Sequence, residues 1–292
     1  MRIAFQGEPG AYSEAAVLQF AAEATAVPCR SFEEVFAAVA QGSVTLGILP
    51  MENSIGGSIH RNYDLLLEHE LPIVGEVELP VDHCLLAQRG TRLDDVKTVY
   101  SHPQALAQCE QFLKNLEGVE ILAVYDTAGA ALMVSQATRN DVAAVASRRA
   151  GELFGLETIA SGIQDYIDNR TRFVLVGRTP AAPETSTKTS IVFTLNSTPG
   201  ALFKALAGFA LRGIDLTKLE SRPIRGRPWE CMFYVDVDVP RESLECGRAL
   251  AHLGEFSRWV RVLGSYRGWQ RESQTTSTAS ADGAPGRNAS AR

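Results

Sequence analysis

Asn169-Arg170-Thr171-Arg172 puts an amide, two guanidiniums and a hydroxyl within four residues, directly ahead of Phe173-Val174-Leu175-Val176-Gly177. The apolar run reads as a strand buried in a sheet. A polar cluster at the end of such a strand is where α/β proteins usually place ligand contacts. The guanidiniums could pair with a carboxylate bidentately, and the amide and hydroxyl could hold polar groups. The same residues would also make an ordinary strand-entry turn with solvated arginines.

Three further stretches have this character. Ile3-Ala4-Phe5 is a short apolar strand followed by the loop Gly7-Glu8-Pro9-Gly10-Ala11-Tyr12-Ser13 and a helix over 14–23. Ser13 stands at the N-cap of that helix, so the loop offers a hydroxyl and backbone N–H groups to an anion. Pro50 closes a buried strand over 44–50, and Met51-Glu52-Asn53-Ser54-Ile55-Gly56-Gly57-Ser58 follows, with glycines that let a backbone come close to a ligand. Asp126-Thr127-Ala128-Gly129-Ala130-Ala131 opens a helix after a strand over 119–125. Each stretch also has a plainer reading, as a helix cap or a turn.

The elements that position these clusters alternate strand and helix from residue 1 to about 177. Ser31-Phe32-Glu33-Glu34 has the spacing of a capping box, and Pro103 sits near the first position of a helix that starts at Ser101-His102. The alternation predicts an α/β domain with a mainly parallel sheet. Two lobes would let the clusters meet in one cleft. Residues 178–189 read as a linker. Residues 190–268 read strand, helix, strand, strand, helix, strand, the ferredoxin-like βαββαβ order. The Ser/Thr/Ala/Gly-rich tail over 269–292 predicts disorder.

The bulk numbers narrow the function classes. The 292 residues suffice for two domains, and 45% apolar with 21% charged content is ordinary for a soluble globular chain. A net charge of −6 argues against nucleic acid as partner. Five scattered cysteines with no C-x-x-C pattern predict reduced thiols, not disulfides or a zinc site. The N-terminus runs straight into a strand, and no apolar stretch is long enough to span a bilayer. These features predict a cytoplasmic protein without leader peptide, membrane association or bound metal.

Taken together, the motifs resemble those of the prephenate dehydratases. Thr171-Arg172-Phe173 is similar to the TRF signature of that family. Phe5–Ser13 resembles its N-terminal loop, and Pro50-Met51-Glu52-Asn53-Ser54-x-x-Gly57 its P-x-E-N-S/T-x-x-G segment. Ser101-His102-Pro103-Gln104-Ala105 and Asp126–Ala131 also match. Gly200-Ala201-Leu202-Phe203 resembles the GALV motif of the regulatory ACT domain, with Phe203 where valine is usual, and Glu220-Ser221-Arg222-Pro223 its ESRP motif. The resemblance covers about residues 1–268. Ile59–Leu67 looks especially like the plant-type members, many of which prefer arogenate.

The resemblance implies a two-lobed, periplasmic-binding-protein-like catalytic domain over 1–177 and a ferredoxin-like ACT domain over 190–268. It implies conversion of prephenate to phenylpyruvate, with release of water and carbon dioxide, in phenylalanine biosynthesis. The alternatives are arogenate dehydration and a non-catalytic small-molecule binding protein. Aromatisation drives the reaction, so no cofactor is required. Thr171 would serve the leaving hydroxyl as a positioned donor or proton relay, since its own pKa is far too high for an easily ionised acid. Arg172 would pair with a carboxylate and Phe173 would anchor the turn. Ser13, Glu52, Asn53, Ser54, Gly57, Thr127, Ala128 and Asn169 would form the substrate site. His102 reads as structural. Gly200, Ala201, Leu202, Phe203, Glu220, Ser221, Arg222 and Pro223 would bind phenylalanine as a feedback inhibitor in a homodimer or homotetramer.

Overall fold

The computed structural model describes residues 1–224 and 226–270. The chain begins with β1 (Arg2–Gln6), α1 (Tyr12–Phe20), β2 (Thr25–Cys29), α2 (Phe32–Ala40), β3 (Leu46–Asn53), β4 (Gly57–Ser58), α3 (His60–His69) and β5 (Ile73–Pro80). A second lobe follows with β6 (Cys84–Ala87), β7 (Thr98–Ser101), α4 (Pro103–Gln108), α5 (Glu110–Lys114), β8 (Glu120–Ala123), α6 (Thr127–Gln136), β9 (Val142–Ala146), α7 (Arg148–Phe154) and β10 (Glu157–Ser161). The chain then returns to the first lobe as β11 (Arg170–Gly177). It continues through β12 (Lys188–Leu195), α8 (Ala201–Ala210), β13 (Leu216–Pro223), β14 (Cys231–Val237), α9 (Leu244–Phe256) and β15 (Ser257–Tyr266).

Local sequence explains most helix starts. Ser31, Asp126, Ser147 and Ser243 are extended N-cap residues, and each side chain accepts from the N–H three residues on. His102 caps α4, with Pro103 at the first helical position. Side-chain caps are missing from α1, α3, α5 and α8. α1 starts at Tyr12, with Ala11 as its N-cap. Ser13 therefore lies inside the first turn, not at the cap where the sequence reading put it.

The sheets are mixed, not mainly parallel. The first runs β2-β1-β3-β11-β5, with β4 added on β3, and the second runs β10-β6-β9-β7-β8. β1 is parallel to β2 and β3, but β11 is antiparallel to both β3 and β5. In the second lobe β6 is antiparallel to β9 and β10. The reversals have one cause. The chain leaves the first lobe after β5 and comes back as β11, so the returning strand enters from the opposite end. The two crossing segments are themselves bonded, Val81 N to Asn169 O at 2.8 Å.

Where β11 meets β3 the register shifts. Thr171 faces Asn53 and Arg172 faces Glu52, but Phe173 faces Pro50. Met51 is the extra residue of a β-bulge. Its side chain is buried on the same side of the sheet as Leu49 and Val174.

The last sheet has the order β13-β14-β12-β15, every pairing antiparallel, which is the ferredoxin-like arrangement. α8 and α9 cover one face, around Ile191, Phe193, Phe209 and Leu253. The other face packs on the first lobe, where Val192, Tyr234, Leu263 and Tyr266 share a core with Met51, Tyr63, Leu66 and Val174. Burying apolar surface at ~25 cal/mol per Å² makes this a stable junction. Contact is so close at Gly264 that a Cβ there would collide with the Ile73 carbonyl. The chain stays in place past the last strand, because Trp269 N donates to a Glu76 carboxylate oxygen at 2.9 Å. The rest of the tail, 271–292, lies outside the described residues.

Candidate active site

A cleft of about 500 Å³ separates the two lobes. All four polar clusters of the sequence contribute to it, with Gly7 and Ser13, Asn53, Asp126 and Thr127, and Thr171. The N-termini of α1, α2 and α6 all open on it through Ser13, Ser31 and Thr127. Each brings the positive end of a helix dipole. No Lys or Arg is among the described residues that line the cleft.

The centre of the cleft is the cross-strand pair Asn53 and Thr171, both at least nine-tenths buried. Asn53 Oδ1 accepts from the N–H groups of Ile55 at 3.1 Å and Gly56 at 2.7 Å. Those backbone donors fix which end of the amide is oxygen. Asn53 Nδ2 must then point the other way, where it donates to Asn169 Oδ1 at 2.7 Å and Thr171 Oγ1 at 3.1 Å. The Thr171 hydroxyl thus accepts a bond from within the protein and keeps its own proton to donate.

The ordering carries on to Gln108 and His83. Gln108 Nε2 donates to Asn53 Oδ1 at 3.3 Å, and Gln108 Oε1 accepts from Asn169 Nδ2 at 2.9 Å. His83 Nε2 lies 2.9 Å from that same Oε1, so Nε2 carries the proton. Nδ1 faces the Tyr12 hydroxyl at 3.0 Å. The single Tyr12 proton has two acceptors in reach, His83 Nδ1 and the Asp82 carbonyl at 2.7 Å. Burial lowers the His83 pKa, against the opposing effects of the Gln108 hydrogen bond and Asp82. The imidazole is therefore neutral at pH 7, the form that accepts at Nδ1. Burial also raises the Tyr12 pKa, which keeps its hydroxyl protonated.

Alternation along β3 and β11 sends the next residues the opposite way. Glu52 and Arg172 face the C-terminal sheet. Arg172 Nε pairs with Glu76 at 2.8 Å, Nη1 with Glu52 at 3.2 Å, and Nη2 with Asp236 at 2.8 Å. Nη2 also donates to the Tyr266 hydroxyl at 3.1 Å. Lys188 joins through Glu76 at 2.9 Å, and Lys218 through Glu52. Burial opposes the Arg172 charge, but Asp236, Tyr266, Glu76 and Glu52 outweigh it and raise its pKa further. Burial likewise opposes the Glu52 charge, and Lys218 and Arg172 more than offset it, so its pKa lies below the usual carboxylate range.

This geometry corrects several sequence assignments. Arg172 and Glu52 do not line the cleft, because strand alternation commits them to the interface behind it. Ser54 Oγ accepts from Arg170 N and donates to the Asp168 carbonyl, both at 2.9 Å, which closes a turn. Gly57 has φ of 76° at the entry to β4, where it pairs with Asn53, and a Cβ there would point into open space. Ala128 is fully buried in the core beneath the cleft. Asn169 is buried one step behind the surface of the site. Phe173 both lines the cleft and anchors the core.

The C-terminal assignments separate in the same way. Glu220 accepts from Ser58 Oγ at 2.9 Å and lies 3.7 Å from His60, while Arg222 pairs with Asp64 at 3.0 Å. Both face the first lobe and are engaged there. Ser221 and Pro223 are exposed on the other side of β13. Gly200 caps α8 with φ of 70°, Ala201 and Leu202 follow in its first turn, and Phe203 is 79% exposed.

Sequence reading missed Tyr12, His83 and Gln108 as site residues. It named His102 only as structural, and His102 both caps α4 and lines the cleft. Among the described residues there is no group of three or more His, Cys, Asp or Glu that could hold a metal ion, and no helix is long and apolar enough to cross a membrane.

Known proteins bear on this site. The family model described as prephenate dehydratase matches residues 3–181. A relative from Arabidopsis thaliana, named arogenate dehydratase/prephenate dehydratase 2, chloroplastic, is 51% identical over 277 residues, covering 91% of this chain and 72% of its own. The solved prephenate dehydratase of Arthrobacter aurescens in complex with L-Phe aligns with a TM-score of 0.83 and 32% identity, covering 91% of this chain and 90% of that one. A structure described as the quorum-quenching acylase GqqA aligns with a TM-score of 0.84 and 40% identity, covering 92% and 98%. The Arabidopsis relatives are named as chloroplastic, which overturns the cytoplasmic expectation. On the matched domain and on identity along nearly its whole length, this chain belongs to the prephenate dehydratase family.

Proposed function

We propose that the cleft catalyses the decarboxylating dehydration of prephenate, and of its amino-acid counterpart arogenate, with Thr171 serving the leaving group. The ring carboxylate departs as carbon dioxide. Its electron pair enters the ring, which becomes aromatic as the C–O bond to the ring hydroxyl breaks. The oxygen leaves as water after gaining one proton. The observation that carries this reading is the Asn53–Thr171 bond. By filling an acceptor site on Oγ1, Asn53 turns the Thr171 proton outward, where it can meet the departing oxygen. Such a donor contributes roughly 10²–10⁴-fold.

The substrate carboxylates are held by neutral groups in this proposal. The uncapped first turn of α1 and the start of α6 supply N–H donors, with Ser13 and Thr127 hydroxyls beside them. The cleft lining holds two acids and no lysine or arginine; Glu33 is paired with Arg61 at 2.8 Å behind it, so Asp126 is the acid that favours arogenate as a second reading. Arogenate carries an ammonium and a single net negative charge, whereas prephenate is a dianion. An acylase reading would want a nucleophile bonded to a histidine. In the cleft, His83 is bonded to Tyr12 and Gln108, and His102 to Gln104 N.

The C-terminal unit is proposed as an ACT-type regulatory domain in a homo-oligomer, with phenylalanine as effector. The bound L-Phe of the Arthrobacter relative supports this. The test is turnover of the purified chain on arogenate and prephenate side by side, with and without phenylalanine. Turnover of at least one, slowed by phenylalanine, is expected. No turnover of either would overturn the dehydratase reading.

A further inference from the structure

The Glu52–Arg172 layer lies outside the cleft, yet each member is the immediate chain neighbour of a cleft residue. Glu52 precedes Asn53 and Arg172 follows Thr171, and the two pairs oppose each other across β3 and β11. Their side chains do not end in solvent. Arg172 is 10% exposed, ion-paired with Asp236 on β14 and hydrogen-bonded to Tyr266 on β15. Glu52 is bonded to Lys218 on β13, which is itself 9% exposed and lies over the Tyr63 ring at 5.6 Å. Three strands of the C-terminal sheet thus grip the backs of the two residues whose fronts form the Asn53–Thr171 bond.

The grip falls at the one point of the β3–β11 ladder that is not regular. The bulge at Met51 lies next to Glu52, and the register shift lies between Arg172 and Phe173. Bulged ladder is where a strand can re-aim its side chains. Here the ladder hydrogen bonds alone do not fix the aim, and the ion pairs behind it can. We infer that Glu52 and Arg172 are positioning residues for Asn53 and Thr171, and that Lys218 and Asp236 of the C-terminal sheet hold them in place. The C-terminal sheet then completes the active site without touching the substrate. This inference rests on the proposed role of Thr171.

The consequence is asymmetric. The N–H groups at the helix starts that would grip the carboxylates are not part of this layer. A disturbance from the C-terminal sheet should therefore act on the transition state and leave substrate binding alone.

The experiment uses the full chain and begins with kcat and KM of the wild type on its better substrate. Lys218→Met keeps most of the side-chain volume and removes the ammonium paired with Glu52. Its kcat should fall about tenfold, since small misplacements of catalytic groups are costly, with KM within about twofold. Lys218→Arg should restore most of the loss. Asp236→Asn, which weakens the hold on Arg172 from a different strand, should show the same split. An unchanged kcat in folded Lys218→Met and Asp236→Asn would overturn the inference. So would a raised KM at constant kcat, or a loss that tracks only a lowered Tm and is not rescued by Lys218→Arg. A wild type that turns over neither substrate would overturn the dehydratase reading and this inference with it. Active wild type with indifferent variants would overturn the inference alone.

Discussion

The Asn53–Thr171 and Glu52–Arg172 pairs are one residue apart on the same two strands, and their surroundings are opposites. On the cleft side the partners are amides, hydroxyls and a neutral imidazole, ordered by two backbone N–H groups at Ile55 and Gly56. On the other side Glu52, Glu76 and Asp236 meet Arg172, Lys188 and Lys218. The difference teaches what each side is suited to. Neutral groups can aim a proton at a substrate without competing for its charges. Ion pairs hold position strongly because a buried charge that loses its partner is expensive. The site places its aim in front and its rigidity behind.

The sharpest way to break this comparison is to remove the aimed hydroxyl. Thr171→Ala should keep the fold and lose roughly 10²–10⁴-fold in kcat, while Thr171→Ser, which keeps a donor, should retain much more. Steady-state kinetics beside a circular dichroism melt would check both. Equal losses in the two variants would remove the proton from the account.

The next effect is on the rear side and should appear as stability. Arg172→Met leaves Glu52, Glu76 and Asp236 without their shared cation. It should destabilise the protein by about 3–5 kcal/mol, read from denaturant unfolding of the full chain. A change below about 1 kcal/mol would mean that the layer does not hold the two units together.

The smallest expected effect is a pH dependence at His83. Its folded pKa is lowered by burial, so the fold prefers the neutral ring. The associated stability is complete above the unfolded pKa of about 6.5. Below that value the unfolded chain takes up the proton first, and stability declines until the lower, folded pKa is passed. His83→Gln should flatten the decline in Tm on going down from about pH 6.5, relative to the wild type. An identical slope in the two proteins would assign that window to other groups.

Much of this arrangement could be read from the chain, and the failures have physical causes. The polar clusters after β1, β3 and β8 and at the start of β11 were legible, because loop chemistry at a strand end is local. The βαββαβ order was legible for the same reason. Strand direction was not, since it depends on which strands pair after the crossings at 80–84 and 161–170. Arg172 and Glu52 were misplaced because 51–58 and 169–172 were read as lying outside the strands. Once both segments are strand, period-two alternation puts Glu52 on the other face from Asn53, and Arg172 on the other face from Thr171. Gln108 and His83 gave no local signal. Gln108 is an ordinary helical glutamine until β11 brings Asn169 beside it. Glu220 and Arg222 were assigned to an effector site because motif spacing says nothing about which face of β13 meets the first lobe.

The bulge at Met51 makes the site a matter of counting. Upstream of it β3 alternates in one phase, and downstream in the other. A residue inserted between Met51 and Glu52, and not absorbed by the bulge, would exchange the amide and the carboxylate between their two worlds at a stroke. A substitution here changes one side chain in place, whereas an insertion changes the surroundings of two.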